Sequence, residues 1–409
     1  MKKIKIALHW QILIAIGLAV LFGIFFYDYA APIKWIGDIF IRSLKMIAIP
    51  IVVSSLITGV ANLGDSKDLG RLSLKTLSFY IGTTAIAAVV GVFLVNLFKP
   101  GVGADLNLSE SVSNLAVTET RFVDQIVAIV PDNVFGELSK GNLLPIIFFT
   151  IMFGFFMTKA PAKSKEVMTS FFQAIFDIIM KMTMFIVKFT PYGVFAIVAN
   201  IIAEQQGDAE KLYSIVGSLG LYTVVVWLAC LIMGLIVLPS IVYGFTRYNP
   251  FKHIKQMSVP LLTAFSTSSS GAALPLALNA LQEKTGVSNK ITSFVMPLGT
   301  TINMNGTALY EGITAIFIAQ AYGIDLTITQ QVLVIATSVL AAIGAAGVPM
   351  AGLVMMTIVL GVVGLPLEGI GLVLAVQQLC DMIRTSVNVY GNTAATVVIA
   401  HSEGEKLNL

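Results

Sequence analysis

The sequence predicts an all-α polytopic membrane protein. Three observations predict it: the composition, a series of apolar runs of spanning length whose connections alternate in charge, and two interrupted segments at matching places in the second half. Of 409 residues, 56% fall in the AVILMFWYC set and 11% are charged, against roughly 25% charged in a soluble domain. A water-soluble fold is excluded. One span takes about 20 mostly apolar residues, so this length supplies about eight to ten spans and little extramembrane domain. The 25 Lys+Arg and 22 Asp+Glu leave a formal charge of +3, too small for a polyanion-binding protein, which removes nucleic acid as a partner. Cys230 and Cys380 both lie in apolar runs, and two cysteines are too few for a disulfide framework.

Lys2, Lys3 and Lys5 precede an apolar run from Ile12 to Phe26. The run exceeds the core of a signal peptide and no small-x-small site follows it before Asp28, so it reads as an uncleaved first span. Further runs lie at 39–62, 76–98, 142–158, 167–202 and 213–245, making six segments before residue 250. Lys67, Arg71 and Lys75, then Lys159, Lys163 and Lys165, then Arg247, Lys252 and Lys255 mark the side of the N-terminal lysines, which the positive-inside rule makes cytoplasmic. The opposite connections carry Asp28, then Asp105, Glu110, Glu119 and Asp124, then Glu204, Asp208 and Glu210.

From Val259 onward the pattern departs from plain helices. Thr267-Ser268-Ser269-Ser270-Gly271 divides apolar stretches too short for two spans and predicts a hairpin entering from the cytoplasm; Ile343-Gly344-Ala345-Ala346-Gly347-Val348-Pro349 predicts its counterpart from outside. Each is followed by a longer apolar segment with a polar interruption, Asn303-Met304-Asn305-Gly306-Thr307 in one and Asn388-Val389-Tyr390-Gly391-Asn392-Thr393 in the other. Two such units of opposite orientation form an inverted repeat. Interrupted segments at corresponding positions point to a transporter's binding site, because unwound backbone exposes N–H and C=O groups to a ligand. Close helix packing at the glycines is the competing explanation for either interruption alone.

In the last segment Gln377, Asp381, Arg384, Thr385, Asn388 and Asn392 share one helical face. A charge inside a membrane helix is costly and faces a protein interior or an aqueous cavity. Asp381 and Arg384 could satisfy each other at i and i+3, but that pair would not account for the remaining polar residues. A zwitterionic amino acid with a second carboxylate accounts for them: Asp381 meets the ammonium and Arg384 the distal carboxylate, which points to glutamate or aspartate. Pore-lining stripes leave a gated channel as a rival. An intramembrane hydrolase built on Ser268 to Ser270 would need a base, and His9, His253 and His401 lie at span ends or in loops, so the chain does not read as an enzyme.

With these residues in view, the chain resembles the glutamate transporter family, the dicarboxylate/amino acid:cation symporters. The specific anchors are Ser268-Ser269-Ser270-Gly271, Asn303-Met304-Asn305-Gly306-Thr307, Gly344 with Ala346-Gly347-Val348-Pro349, and Asp381-Met382-Ile383-Arg384-Thr385 followed by Asn388. The resemblance implies eight spans and two re-entrant hairpins in a homotrimer, in the inner (cytoplasmic) membrane with both termini cytoplasmic. It implies scaffold spans 1 and 2 in 1–75, transport-domain span 3 in 76–98, an outside loop over 99–141 and scaffold spans 4 and 5 in 142–202. Transport-domain span 6 follows in 213–245, and 258–400 holds the transport core, which moves substrate as an elevator.

Carried over by motif, Asp381 holds the ammonium, Arg384 and Thr307 the side-chain carboxylate, and Asn388 with the Ser269 backbone the α-carboxylate. Thr385 lines the pocket and Val348 belongs to the outer lid. The family's cation sites map onto Tyr80, Thr83, Thr84, Gly299, Asn303, Asn305, Asn388 and Asn392, and onto Thr301, Ala342, Ile343 and Ala345. Asn305 and Asn392 stand where the family usually has aspartates, and Met350 replaces a usual lid glycine. Hard cations prefer charged oxygen ligands, so the expectation leans to H+ over Na+ as the coupling ion, with no other cofactor. Glu311 is a candidate proton carrier, the alternative being a glutamate hydrogen-bonded to a neighbour.

Overall fold

The computed structural model describes residues 8–61, 67–104, 127, 130–141, 143–203, 209–344 and 351–409. Among these residues the regular structure is helical, with no strand. The first half runs through α1 (Leu8–Phe25), α2 (Lys34–Ala61), α3 (Lys67–Phe98), α4 (Val134–Lys140), α5 (Leu143–Met157), α6 (Ala162–Val187), α7 (Thr190–Ala203) and α8 (Ala209–Ile232), which passes through a π turn (Met233–Val237) into α9 (Leu238–Thr246). The second half holds α10 (Pro250–Gln256), α11 (Ser258–Thr267), α12 (Ser270–Ala280), α13 (Asn289–Ile302), α14 (Asn305–Ala321), α15 (Ile328–Gly344), α16 (Ala351–Val362), α17 (Ile370–Leu374) and α18 (Gln377–Ser402). By length and apolarity Tyr27–Thr58, Arg71–Phe98, Ala162–Val187 and Tyr213–Thr246 can each cross a bilayer, and the shorter helices Trp10–Phe25, Pro145–Met157, Thr190–Ala203 and Ile328–Ile343 are also apolar. Large apolar side chains such as Leu18, Phe93 and Val224 point outward, as lipid-facing helices require.

The run 167–202 is not one helix. The amides of Lys188 and Phe189 bond three residues back, to Phe185 and Ile186, and Pro191 has no N–H to continue the ladder, so α6 tightens and stops and α7 starts afresh. The last segment also differs from expectation. The break at Asn303 and Met304 is present between α13 and α14, but α18 runs unbroken through Asn388–Thr393. Its polar side chains are satisfied sideways or along the helix: Thr393 Oγ1 donates to Tyr390 O at 3.0 Å and Thr396 Oγ1 to Asn392 O at 2.8 Å.

Two groups of helices pack together. α1 lies along α7, and α2 along α5, α6 and α7; α14 is surrounded by α3, α15, α16 and α18, while α18 also meets α8, α9, α11, α12 and α13. Nearly every residue of α14 is buried, the mark of a central helix. In lipid such packing relies on close approach of small residues, and Ala88 and Gly91 of α3 meet Leu309 and Gly312 of α14.

The first hairpin turns within two residues. Ser268 ends α11 in the left-handed region at φ 49°, and extended Ser269 caps α12 by accepting from Ala272 N–H at 3.3 Å. A serine held at positive φ is uncommon, and the Ser268 hydroxyl accepts from Gln378 Nε2 at 3.1 Å. The second hairpin has α15 and α16 as its legs; Ala345, Val348 and Met350 lie outside the described residues, as do Lys2, Lys3, Lys5, Asp105, Glu110, Glu119, Asp124, Glu204 and Asp208.

The residues after α18 form a strap. Glu403 pairs with Arg71 and Lys75 of α3, each at 2.6 Å. Glu405 accepts from Ser288 N–H at 3.0 Å, Asn408 N–H donates to Thr285 O at 2.9 Å, and Gln256 Nε2 donates to Asn408 O at 3.1 Å. Leu407 is buried beneath them.

Candidate functional site

α18 is the spine of the site. Because it is continuous, its polar stripe stays on one face, against the break before α14 and beneath the tip of the first hairpin. Two clusters result.

The first holds charge. Arg384 Nε donates to Asp381 Oδ1 at 2.7 Å, both side chains being almost wholly buried, and Thr385 Oγ1 donates to the same oxygen at 3.3 Å. The Arg384 guanidinium stands 4.6 Å over the Tyr310 ring, a cation–π arrangement that gains strength when dry. Tyr310 OH donates to Gln377 Oε1. Arg384 Nη1 is buried with no hydrogen-bond partner among the described residues, and it lies against Gly352 at the start of α16, where a Cβ would overlap it. A side chain at 352 would have to displace the guanidinium from this position. Beside it Asn388 bridges the broken segment, accepting from Gly306 N–H at 2.7 Å and donating to Thr307 Oγ1 at 3.2 Å. The Ser269 side chain is spent on the α12 cap.

The second cluster is neutral and lies deeper. Thr84 Oγ1 donates to Asn305 Oδ1 at 2.8 Å, Thr83 Oγ1 reaches the same oxygen at 3.4 Å, and Asn303 Nδ2 donates to Asn392 Oδ1 at 2.8 Å. Tyr80 OH donates to Val295 O at 2.7 Å. Gly299 makes room: a Cβ there would stand 2.6 Å from both Asn392 Oδ1 and Tyr80 OH. Asn305 Nδ2 and Asn392 Nδ2 are buried with no partner among the described residues, and the cluster's described members offer amide and hydroxyl oxygens and no carboxylate. Thr301 sits apart, exposed, its hydroxyl bonded to Leu298 O, while Ala342 and Ile343 lie in the last turn of α15, which packs on α13.

Glu311, on α14, is fully buried, and neither of its carboxyl oxygens has a hydrogen-bond partner among the described residues. An unpaired carboxylate in a dry core costs far more than a carboxylic acid.

Sequence reasoning missed several members. Tyr310, Gly352 and the link from Tyr310 to Gln377 carry no local signature. His253, read as a loop residue, is buried, with Nε2 3.1 Å from Thr393 Oγ1 and its ring 5.9 Å from that of Tyr390. Cys230 and Cys380 are both buried free thiols.

The sodium:dicarboxylate symporter family matches residues 8–402. The chain belongs to this family. It is a transporter of the symporter class and not an enzyme. A proton/glutamate-aspartate symporter of Escherichia coli is 36% identical, over 98% of this chain and 94% of the relative. A proton/sodium-glutamate symport protein of Bacillus caldotenax is 39% identical, over 98% and 96%. Excitatory amino acid transporter 3 of the mouse is 37% identical, over 89% and 78%. Within the matched span, the polar segments of α14 and α18 meet where the charged and neutral clusters adjoin.

Proposed function

We propose that this chain is a secondary active symporter of L-glutamate or L-aspartate, coupled to a cation, with protons favoured over sodium. The observation that carries the reading is Arg384, a buried guanidinium with one face on Tyr310, Nε on Asp381 and Nη1, without a partner among the described residues, beside Gly352. A distal carboxylate gives Nη1 its acceptor while the substrate ammonium takes over Asp381, so the internal pair is exchanged for two external ones. Thr307 joins Arg384 on that distal carboxylate, and Asn388 with the hairpin backbone at Ser269 then holds the α-carboxylate. The names of the E. coli and Bacillus relatives support the substrate class.

Protons are favoured because Asn305 and Asn392 present no charge to offset desolvation of a bare ion, whereas Glu311 is a titratable group on α14, the helix that begins at Asn305. The Bacillus relative's name, which includes both ions, and the converging amide oxygens support a second reading, sodium coupling through a weakened site. The two packing groups support an elevator, with α1, α2, α5, α6 and α7 as scaffold and the helices around α14 and α18 as the moving core, in a homotrimer of the inner membrane with both termini cytoplasmic.

The test is uptake into proteoliposomes with sodium and proton gradients imposed separately. Proton coupling predicts uptake driven by external acid without sodium, blunted by Glu311→Gln while substrate binding persists. Uptake that follows sodium alone overturns it.

A further inference from the structure

The exposed side of the π turn and α9 carries a groove that the transport reading does not use. At Met233–Val237 the helix takes one extra residue into its turn, Leu238 N–H bonding back to Met233 O, and Pro239 follows at once. The wider turn and the missing proline N–H displace the backbone. Leu235, Ile236, Pro239, Tyr243 and Phe251 wall the resulting groove of about 610 Å³, with Arg247 at its end. All of these apolar side chains but Pro239 are about half exposed or more.

Arg247 is placed deliberately. It ends α9 in the left-handed region at φ 62°, ψ 8°, a conformation uncommon for any residue but glycine, and its guanidinium stands 5.7 Å over the Tyr243 ring. None of the described ion pairs engages it. Arg247 is the charged residue among those that line the groove; exposed Lys252 and Lys255 follow in the next turns, outside it, on the side that the charge pattern assigns to the cytoplasm. From Leu235 to Arg247 the helix rises about 18 Å, close to one leaflet of a hydrocarbon core about 30 Å thick.

We propose that this groove binds an anionic phospholipid, its phosphate on Arg247 and one acyl chain along Leu235, Ile236 and Pro239. The guanidinium fork suits a phosphate, and the apolar wall of leaflet length requires an acyl chain, which a free anion lacks. The site is independent of what the transporter carries.

The test is native mass spectrometry of the purified full chain in neutral detergent, with dioleoyl phosphatidylglycerol or dioleoyl phosphatidylcholine added in equal amounts. The anionic lipid is expected to be retained roughly fivefold over the zwitterionic one, the worth of one basic residue at an anionic headgroup. Arg247→Gly, which accepts the left-handed backbone and so preserves the helix end, is expected to abolish the preference. Arg247→Lys is expected to keep most of it, and Ile236→Trp, which fills the groove, to lower retention of both lipids. Equal retention by the unaltered chain, or a preference that survives Arg247→Gly, overturns the proposal. Displacement of the phosphatidylglycerol by millimolar inorganic phosphate overturns it too, by reducing the site to an anion contact.

Discussion

Within two turns of one another on α18 lie two polar clusters built on opposite principles. Around Asp381, Arg384 and Thr385 the groups are charged, and the guanidinium keeps a buried donor in reserve at Nη1. Around Asn303, Asn305 and Asn392 every group is neutral and its oxygens already accept hydrogen bonds from Thr84, Thr83 and a neighbouring amide. The contrast is instructive. A buried charge demands a counter-charge, so the first cluster is suited to a ligand that brings its own opposite charges. The second has its amide oxygens engaged and two amide nitrogens left over among the described residues, and has no formal charge with which to replace the water around a bare ion.

The largest test strikes the charged cluster. Arg384→Gln is expected to weaken glutamate and aspartate by roughly 2–3 kcal/mol, the worth of a hydrogen bond to a charged group in a dry site, while serine changes little. Asp381→Asn should weaken all three together. Competition binding reads both, and an equal loss for serine and aspartate in Arg384→Gln removes the assignment.

The next converts the neutral cluster toward the charged kind. Asn305→Asp with Asn392→Asp is expected to make substrate affinity depend on sodium by about tenfold or more, the order of one charge–charge contact in partly screened surroundings. Titration with and without sodium measures it; unchanged affinity means that formal charge does not set the coupling ion.

A smaller effect separates the clusters. Gly299→Ala places a Cβ against Asn392 and Tyr80 and is expected to cost about 1–3 kcal/mol of stability by overpacking. The preference for acidic over neutral substrates should stay as it is, because Arg384 is untouched. A thermal melt paired with the same competition assay distinguishes the two readouts.

Much of this arrangement is legible in the sequence and part of it is not. The serine tip and the stripe from Gln377 to Asn392 are local patterns, so periodicity alone places them. The break before α14 was expected and is present, but its twin in α18 is absent, because side chains of that helix find partners without disturbing its own ladder. Tyr310 with Gln377, and His253 with Thr393, meet across 67 and 140 residues of chain. No spacing rule reaches so far. The division of 167–202 turned on Pro191, a signal that was present and outweighed by an apolar run.

The weakest expected effect lies far from both clusters. The hydrogen bond from Lys75, and then Arg71, hold the Glu403 carboxyl below its ordinary range. A carboxylate lowered in this way stabilises the fold fully above the unfolded value of about 4.3, and the gain is lost as pH falls through the folded value. Glu403→Gln should therefore lower stability at neutral pH by roughly 1 kcal/mol or less, as exposed pairs do, and match the unaltered chain in strong acid. Melting curves at several pH values decide it, a constant gap refuting the role.

That carboxylate belongs to the strap after α18, which fastens onto α3, Gln256, Thr285 and Ser288 at once. The foot of the first hairpin is thereby tied to α3, which carries Tyr80, Thr83 and Thr84, and to α18, which carries Asp381, Arg384 and Asn392. The hairpin is thus held to α18 at both ends, at its tip by Gln378 on Ser268 and at its foot by the residues that follow Ser402.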